Sequence, residues 1–177
     1  MNSMIGLVLM ATAGAAQAQA QTDLCADVRS IVAAALETPA FASIPRYPEQ
    51  RPLLGHHACF TLRGPGEGFI RWFDEGTRFV CDVPRNYPHE RGWTDRDDLM
   101  SRIAACLPGA VRSGPEYRHA DGPQAGQLSP ARPRYSFYSS VYVDSGPVRF
   151  DYRTFHHSRF NRGWLTAYRR DADTEPR

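Results

Sequence analysis

Four cysteines, Cys25, Cys59, Cys81 and Cys106, and six histidines, including the pairs His56-His57 and His156-His157, are the residues of this chain best suited to redox, metal or nucleophilic chemistry. A structural zinc site draws on close pairs such as Cys-x-x-Cys, and none occurs here. Adjacent histidines in a strand point to opposite faces, so each pair can supply one ligand per side at most. With His89 and His119 added, no His-Glu-x-x-His spacing appears. A serine nucleophile would be expected on a tight Gly-x-Ser-x-Gly turn, which is absent, and Ser113-Gly114-Pro115 and Ser145-Gly146-Pro147 read as turn chemistry. The carboxylates Asp74, Glu75, Asp95, Asp97 and Asp98 fall in turns or at a helix start, where they favour the local backbone without needing an acid–base role. All 21 basic residues are arginine. The lack of lysine excludes Schiff-base chemistry, a lysine general base and a phosphate-loop lysine. No cofactor-binding motif and no metal-ligating set is expected.

The cysteines are better explained by an address. Met4 to Ala13 reads MIGLVLMATA, an apolar stretch of signal-peptide length that is too short to span a bilayer, followed by Ala16-Gln17-Ala18 and Ala18-Gln19-Ala20 as cleavage sites. Residues 1–20 are thus expected to be a signal peptide and 21–177 a single domain, periplasmic or secreted, with no membrane span. An acidic residue close before Cys25 does not suit a lipoprotein site. In an oxidising compartment an even cysteine count implies two disulfides, and four cysteines allow three pairings. Antiparallel packing of two helices would bring Cys25 to Cys106 and leave Cys59 for Cys81 across neighbouring strands.

The elements that would position these residues follow from periodicity. Leu24, Val28, Ile31, Val32 and Ala35 recur at helical spacing from a cap at Thr22 or Asp23 to about Glu37. Pro39 to Gly55, with four prolines, reads as surface loop. Strands are expected at His57–Arg63, Gly68–Phe73 and Arg78–Val83, divided by Gly64-Pro65-Gly66 and Asp74-Glu75-Gly76. A second helix should start at Thr94-Asp95-Arg96-Asp97, carry Leu99, Ile103, Cys106 and Leu107 on one stripe, and stop at Pro108-Gly109. After a brief strand near Val111, residues of about 114–134 read as an irregular insertion. Strands at Tyr135–Val143, Val148–Phe155 and Trp164–Arg169 follow, with turns at Asp144-Ser145-Gly146-Pro147 and Asn161-Arg162-Gly163. The order helix, three strands, helix, about three strands implies an α+β fold, with both helices on one face of a largely antiparallel sheet.

The last three strands interleave arginine with aromatics. Alternation sends Val148, Phe150 and Tyr152 inward and Arg149, Asp151 and Arg153 outward, while Ser136, Tyr138, Ser140 and Tyr142 share the side opposite Phe137, Val141 and Val143. Tyr138, Tyr142, Arg149 and Arg153 are therefore the binding-face candidates, since surfaces rich in Tyr, Ser and Arg resemble protein-binding patches. A formal charge of +2 and the acids Asp144 and Asp151 do not suit nucleic acid. The expectation is a non-enzymatic binding or accessory module for a protein or an anionic envelope ligand, in which charge reversal at Arg149 and Arg153 weakens capture without unfolding. The alternative is a small secreted hydrolase using His56 or His157 with a nearby carboxylate or thiol.

Overall fold

A computed structural model describes residues 23–54, 57–63, 77–83, 89–133, 136–157 and 160–170. The expected signal peptide, the expected strand Gly68–Phe73 and the turns on either side of it lie outside the described residues. The first helix, α1, covers residues 23–35. It is followed by β1 (Arg51–Leu53), β2 (His57–Arg63), β3 (Thr77–Val83), α2 (His89–Ala105), β4 (Val111–His119), β5 (Leu128–Ser129), β6 (Phe137–Ser145), β7 (Val148–His157) and β8 (Phe160–Arg169). The eight strands form one sheet in the order β1-β2-β3-β8-β7-β6-β4-β5, and every pairing is antiparallel. The fold is α+β with the sheet dominant. Among the described residues five strands, not about three, follow α2.

Its closure depends on one long-range pairing. β3, before α2, lies beside β8 near the end of the described chain, with Phe79 opposite Ala167 and Cys81 opposite Leu165. Without it the strands on either side of α2 would be two smaller sheets. One core cluster gathers Leu24, Val28, Ile31 and Ala35 of α1, Met100 and Ile103 of α2, and Cys59, Phe79, Cys81, Val141, Val143, Phe150 and Leu165 of the sheet. The Cys25–Cys106 disulfide ties α1 to the residue just past α2, and Cys59–Cys81 links directly opposed positions of β2 and β3.

Three local readings are corrected. The Pro39–Gly55 stretch is not all surface: Phe41, Ile44, Leu53 and Leu54 are buried in the core. Irregular backbone can enter a core if its polar groups are satisfied. Here Phe41 N–H donates to Ala34 O, Thr61 N–H to Pro45 O, Tyr47 N–H to Thr61 O, and Leu54 N–H to the Asp27 carboxylate at 2.8 Å. Second, α2 begins at His89 rather than Thr94. The single Gly92 costs only about 1 kcal/mol inside a helix.

Third, strands occupy much of what reads as turn and insertion. β4 runs to His119 because a bulge between Ser113 and Glu116 absorbs Gly114-Pro115. Gly114 has φ +99°, and a Cβ there would stand 2.7 Å from Ser140 O, so glycine permits the strand to stay close to β6. β8 takes in Asn161-Arg162-Gly163, paired to His156, Phe155 and Thr154. Gly163 serves packing rather than turning, since a Cβ would meet the Tyr152 hydroxyl at 3.0 Å.

Candidate functional site

Strand alternation gives the sheet a second face, away from the main core. Register aligns its side chains in rows across β6, β7 and β8: Asp144, Arg149 and Tyr168; Tyr142, Asp151 and Thr166; Ser140, Arg153 and Trp164; Tyr138, Phe155 and Arg162. All four binding-face candidates, Tyr138, Tyr142, Arg149 and Arg153, stand on it. β3 adds Arg78 and Val80, and β2 adds Phe60 and Leu62. Phe60, Leu62, Val80 and Trp164 form a smaller apolar cluster with Tyr47 and Phe155 packed against it.

Three arginines sit over aromatic rings, within cation–π distance. Arg78 sits 4.5 Å over Tyr168, Arg149 4.8 Å over Tyr142 and Arg162 5.0 Å over Trp164. Tyr138 tilts against Phe155 with ring centroids 5.1 Å apart. Tyr142 donates from its hydroxyl to Glu116 at 3.2 Å. Two carboxylates organise the charges. Asp144 takes Arg149 in a bidentate pair at 2.7 and 2.9 Å, with Arg170 at 3.5 Å, and Asp151 takes Arg153 at 3.0 Å.

This face is less open than alternation implies. Asp151 points away from the main core as expected but is only 1% exposed, and Tyr142 is 7% exposed. Arg149 and Arg153 remain half-buried, with side chains 21% and 31% exposed. Burial pushes the Tyr138 and Tyr142 phenols up to about 12, and it raises Tyr168 as well. It also raises the Asp151 carboxyl against the opposing pull of Arg153, Arg78 and Arg149. For Arg149 the Asp144 hydrogen bonds outweigh burial and strengthen its hold on the proton. One Asp151 oxygen and the Trp164 indole N–H are buried without a hydrogen-bond partner among the described residues.

No family model, curated protein or solved structure matches the chain. What the second face can do follows from its own chemistry. It offers half-buried cationic planar groups, with tyrosine rings packed against them.

The other candidates are dispersed. His156 is buried on the core side and stacks on Phe137 at 4.6 Å, whereas His157 faces the opposite way, with Phe155 at 6.3 Å. His56 and the His89 side chain lie outside the described residues. Among the described residues no three His, Cys, Asp or Glu side chains gather to hold a metal ion. All four thiols are consumed in disulfides, which leaves none for a nucleophile. No described helix is long and apolar enough to cross a membrane. Two disulfides are more typical of extracellular or periplasmic proteins. Sequence reasoning missed Arg78, which the β3–β8 pairing brings in from the other half of the sheet. Its signal was the alternation of Arg78 and Val80 in a strand read only for its cysteine. Asp144 and Asp151, taken as diluting charges, pair with Arg149, Arg170 and Arg153.

Proposed function

We propose that the chain is an exported, non-enzymatic binding module, with both helices packed on one sheet face and the opposite Arg/Tyr face contacting a protein or an anionic envelope ligand. The arginine–aromatic array carries this reading. Guanidinium groups already held, Arg78 and Arg149 over tyrosine rings and Arg149 and Arg153 by Asp144 and Asp151, lose little side-chain freedom on binding, and aromatic and arginine anchors dominate recognition energy. The hydrolase alternative loses its thiol, since every cysteine is bonded.

The ion pairs also dictate how the face must be tested. Reversing Arg153 would set a carboxylate against buried Asp151, so charge reversal would threaten folding rather than probe binding alone. Arg78→Gln and Tyr138→Ala are better suited. Heparin serves as the polyanion probe at low salt and neutral pH. Retention that falls in Arg78→Gln, with an unchanged circular dichroism spectrum, is the expected result. If heparin is not retained, the anionic arm fails, and a protein partner must then be captured by the wild type and lost in Tyr138→Ala for the reading to stand.

A further inference from the structure

Among the described residues Asp151 is the least hydrated charged group on the second face, and its hydrogen bonding is incomplete. Its Oδ2 accepts from Arg153 Nη2 at 3.0 Å, while Oδ1 is buried with no partner among the described residues. A carboxylate so placed loses its hydration and recovers only part of it through Arg153, whereas a neutral carboxylic acid loses far less. Arg153 bridges this buried acid to solvent, since its side chain is 31% exposed against 2% for Asp151.

The groups facing Asp151 come from every neighbouring strand. β7 supplies Arg149 and Arg153, β3 supplies Arg78, β6 supplies Tyr142, and β8 supplies Tyr168. Asp144 of β6 is engaged with Arg149 and Arg170. The three arginines favour the carboxylate, and burial outweighs them. The phenols stay protonated throughout the acidic and neutral range, so they do not compete for the proton.

We propose that Asp151 is a proton-operated gate on the charge of Arg153, so that the capacity of the second face to bind an anionic ligand rises as pH falls. This rests on the binding reading above. As a carboxylate, Asp151 neutralises Arg153 against the sheet. A proton taken from solvent goes to Oδ1, the oxygen without a partner, and Oδ2 remains a neutral acceptor for the Arg153 N–H. The guanidinium keeps its position while the pair changes from neutral to a net single positive charge.

Two measurements on the full exported chain separate the gate from its parent reading. Carbon-detected NMR titration of the side-chain carboxyls should give a midpoint above the ordinary aspartate value that is missing in Asp151→Asn; a midpoint at or below that value overturns the gate. Heparin affinity is then compared at pH 7.5 and pH 5.0 for wild type, Asp151→Asn and Arg153→Gln. Wild type should gain several-fold on acidification beyond the gain of either variant, with Asp151→Asn already tighter than wild type at pH 7.5. Equal gains in all three would assign the effect to histidines and overturn the gate alone. Lack of heparin binding at both pH values overturns the anionic-ligand reading and the gate with it. Should Asp151→Asn not fold, Arg153→Gln provides the same comparison from the other partner.

Discussion

Arg96 of α2 donates from Nη1 to the hydroxyl of Ser139 on β6 at 2.6 Å, joining helix and sheet through a guanidinium that is 1% exposed. Its Nε and Nη2 both donate to Asp97 Oδ1, at 3.1 and 2.9 Å, and Asp97 also receives Arg112 from β4 at 3.1 Å. The half-exposed Asp97 carboxylate thus stabilises a buried cation and couples α2 to a second strand.

Removing the partners of Arg96 should therefore be graded. Ser139→Ala leaves the Asp97 contacts in place and should cost about 1–2 kcal/mol for the stranded donor. Asp97→Ala strips an ion-pair partner from a buried guanidinium and should cost more, about 3 kcal/mol. Urea unfolding midpoints give the order, and an equal loss in both variants would refute it.

The two disulfides should differ in worth. Cys25–Cys106 spans 81 residues and Cys59–Cys81 spans 22, and loop-closure entropy grows with the logarithm of that length. The double alanine variant of the first pair should lose about 4–5 kcal/mol and that of the second about 3 kcal/mol. Thermal unfolding under matched non-reducing conditions ranks them; a larger loss at Cys59–Cys81 would contradict the entropic account.

Asp27 and Leu54 test how irregular chain is held in the core. Leu54 has φ +52°, a left-handed conformation, is 2% exposed, and donates its N–H to Asp27 at 2.8 Å. Asp27→Ala should cost about 1.5–3 kcal/mol, as for a hydrogen bond to a charged acceptor. Leu54→Gly relieves backbone strain of about 1–2 kcal/mol but gives up a buried leucine worth about 1.5–3 kcal/mol, so the net change should be a small destabilisation. A clear stabilisation by glycine would show that strain, not burial, dominates there.

Asp151 should make the fold less sensitive to acid than its aspartate content suggests. Its folded-state value is raised above the ordinary 3.8, so the native state takes up the proton first. Its contribution therefore rises as pH falls through the raised value and is complete below the unfolded value, while above the raised value the buried charge is a cost. Relative to Asp151→Asn, wild type should gain stability between pH 7 and pH 4 in urea titrations. The opposite slope would mean that Arg153 outweighs burial.

Much of the local architecture was legible in the residues. His57–Arg63 forms β2 with the bounds that its alternation suggests, Asp144-Ser145-Gly146-Pro147 closes the β6–β7 hairpin, and the helical stripe from Leu24 to Ala35 lies buried in the main core. The candidate site was legible in part. Alternation put Tyr138, Tyr142, Arg149 and Arg153 on one side of the sheet, and the register agrees. It could not report that Asp151 and Tyr142 are buried there, because periodicity says which way a side chain points and not what covers it.

By itself the sequence determined the period of each main element, the side of the strand on which each residue stands, and a cysteine set sufficient for two disulfides, since these depend on neighbours a few residues away. Tertiary structure alone decided the β3–β8 pairing that makes one sheet, the meeting of Arg96 with Ser139, and the arrival of Arg78 over Tyr168. Those contacts join residues far apart in the chain, and their formation depends on which apolar surfaces meet when the whole core closes, a condition that no local window contains.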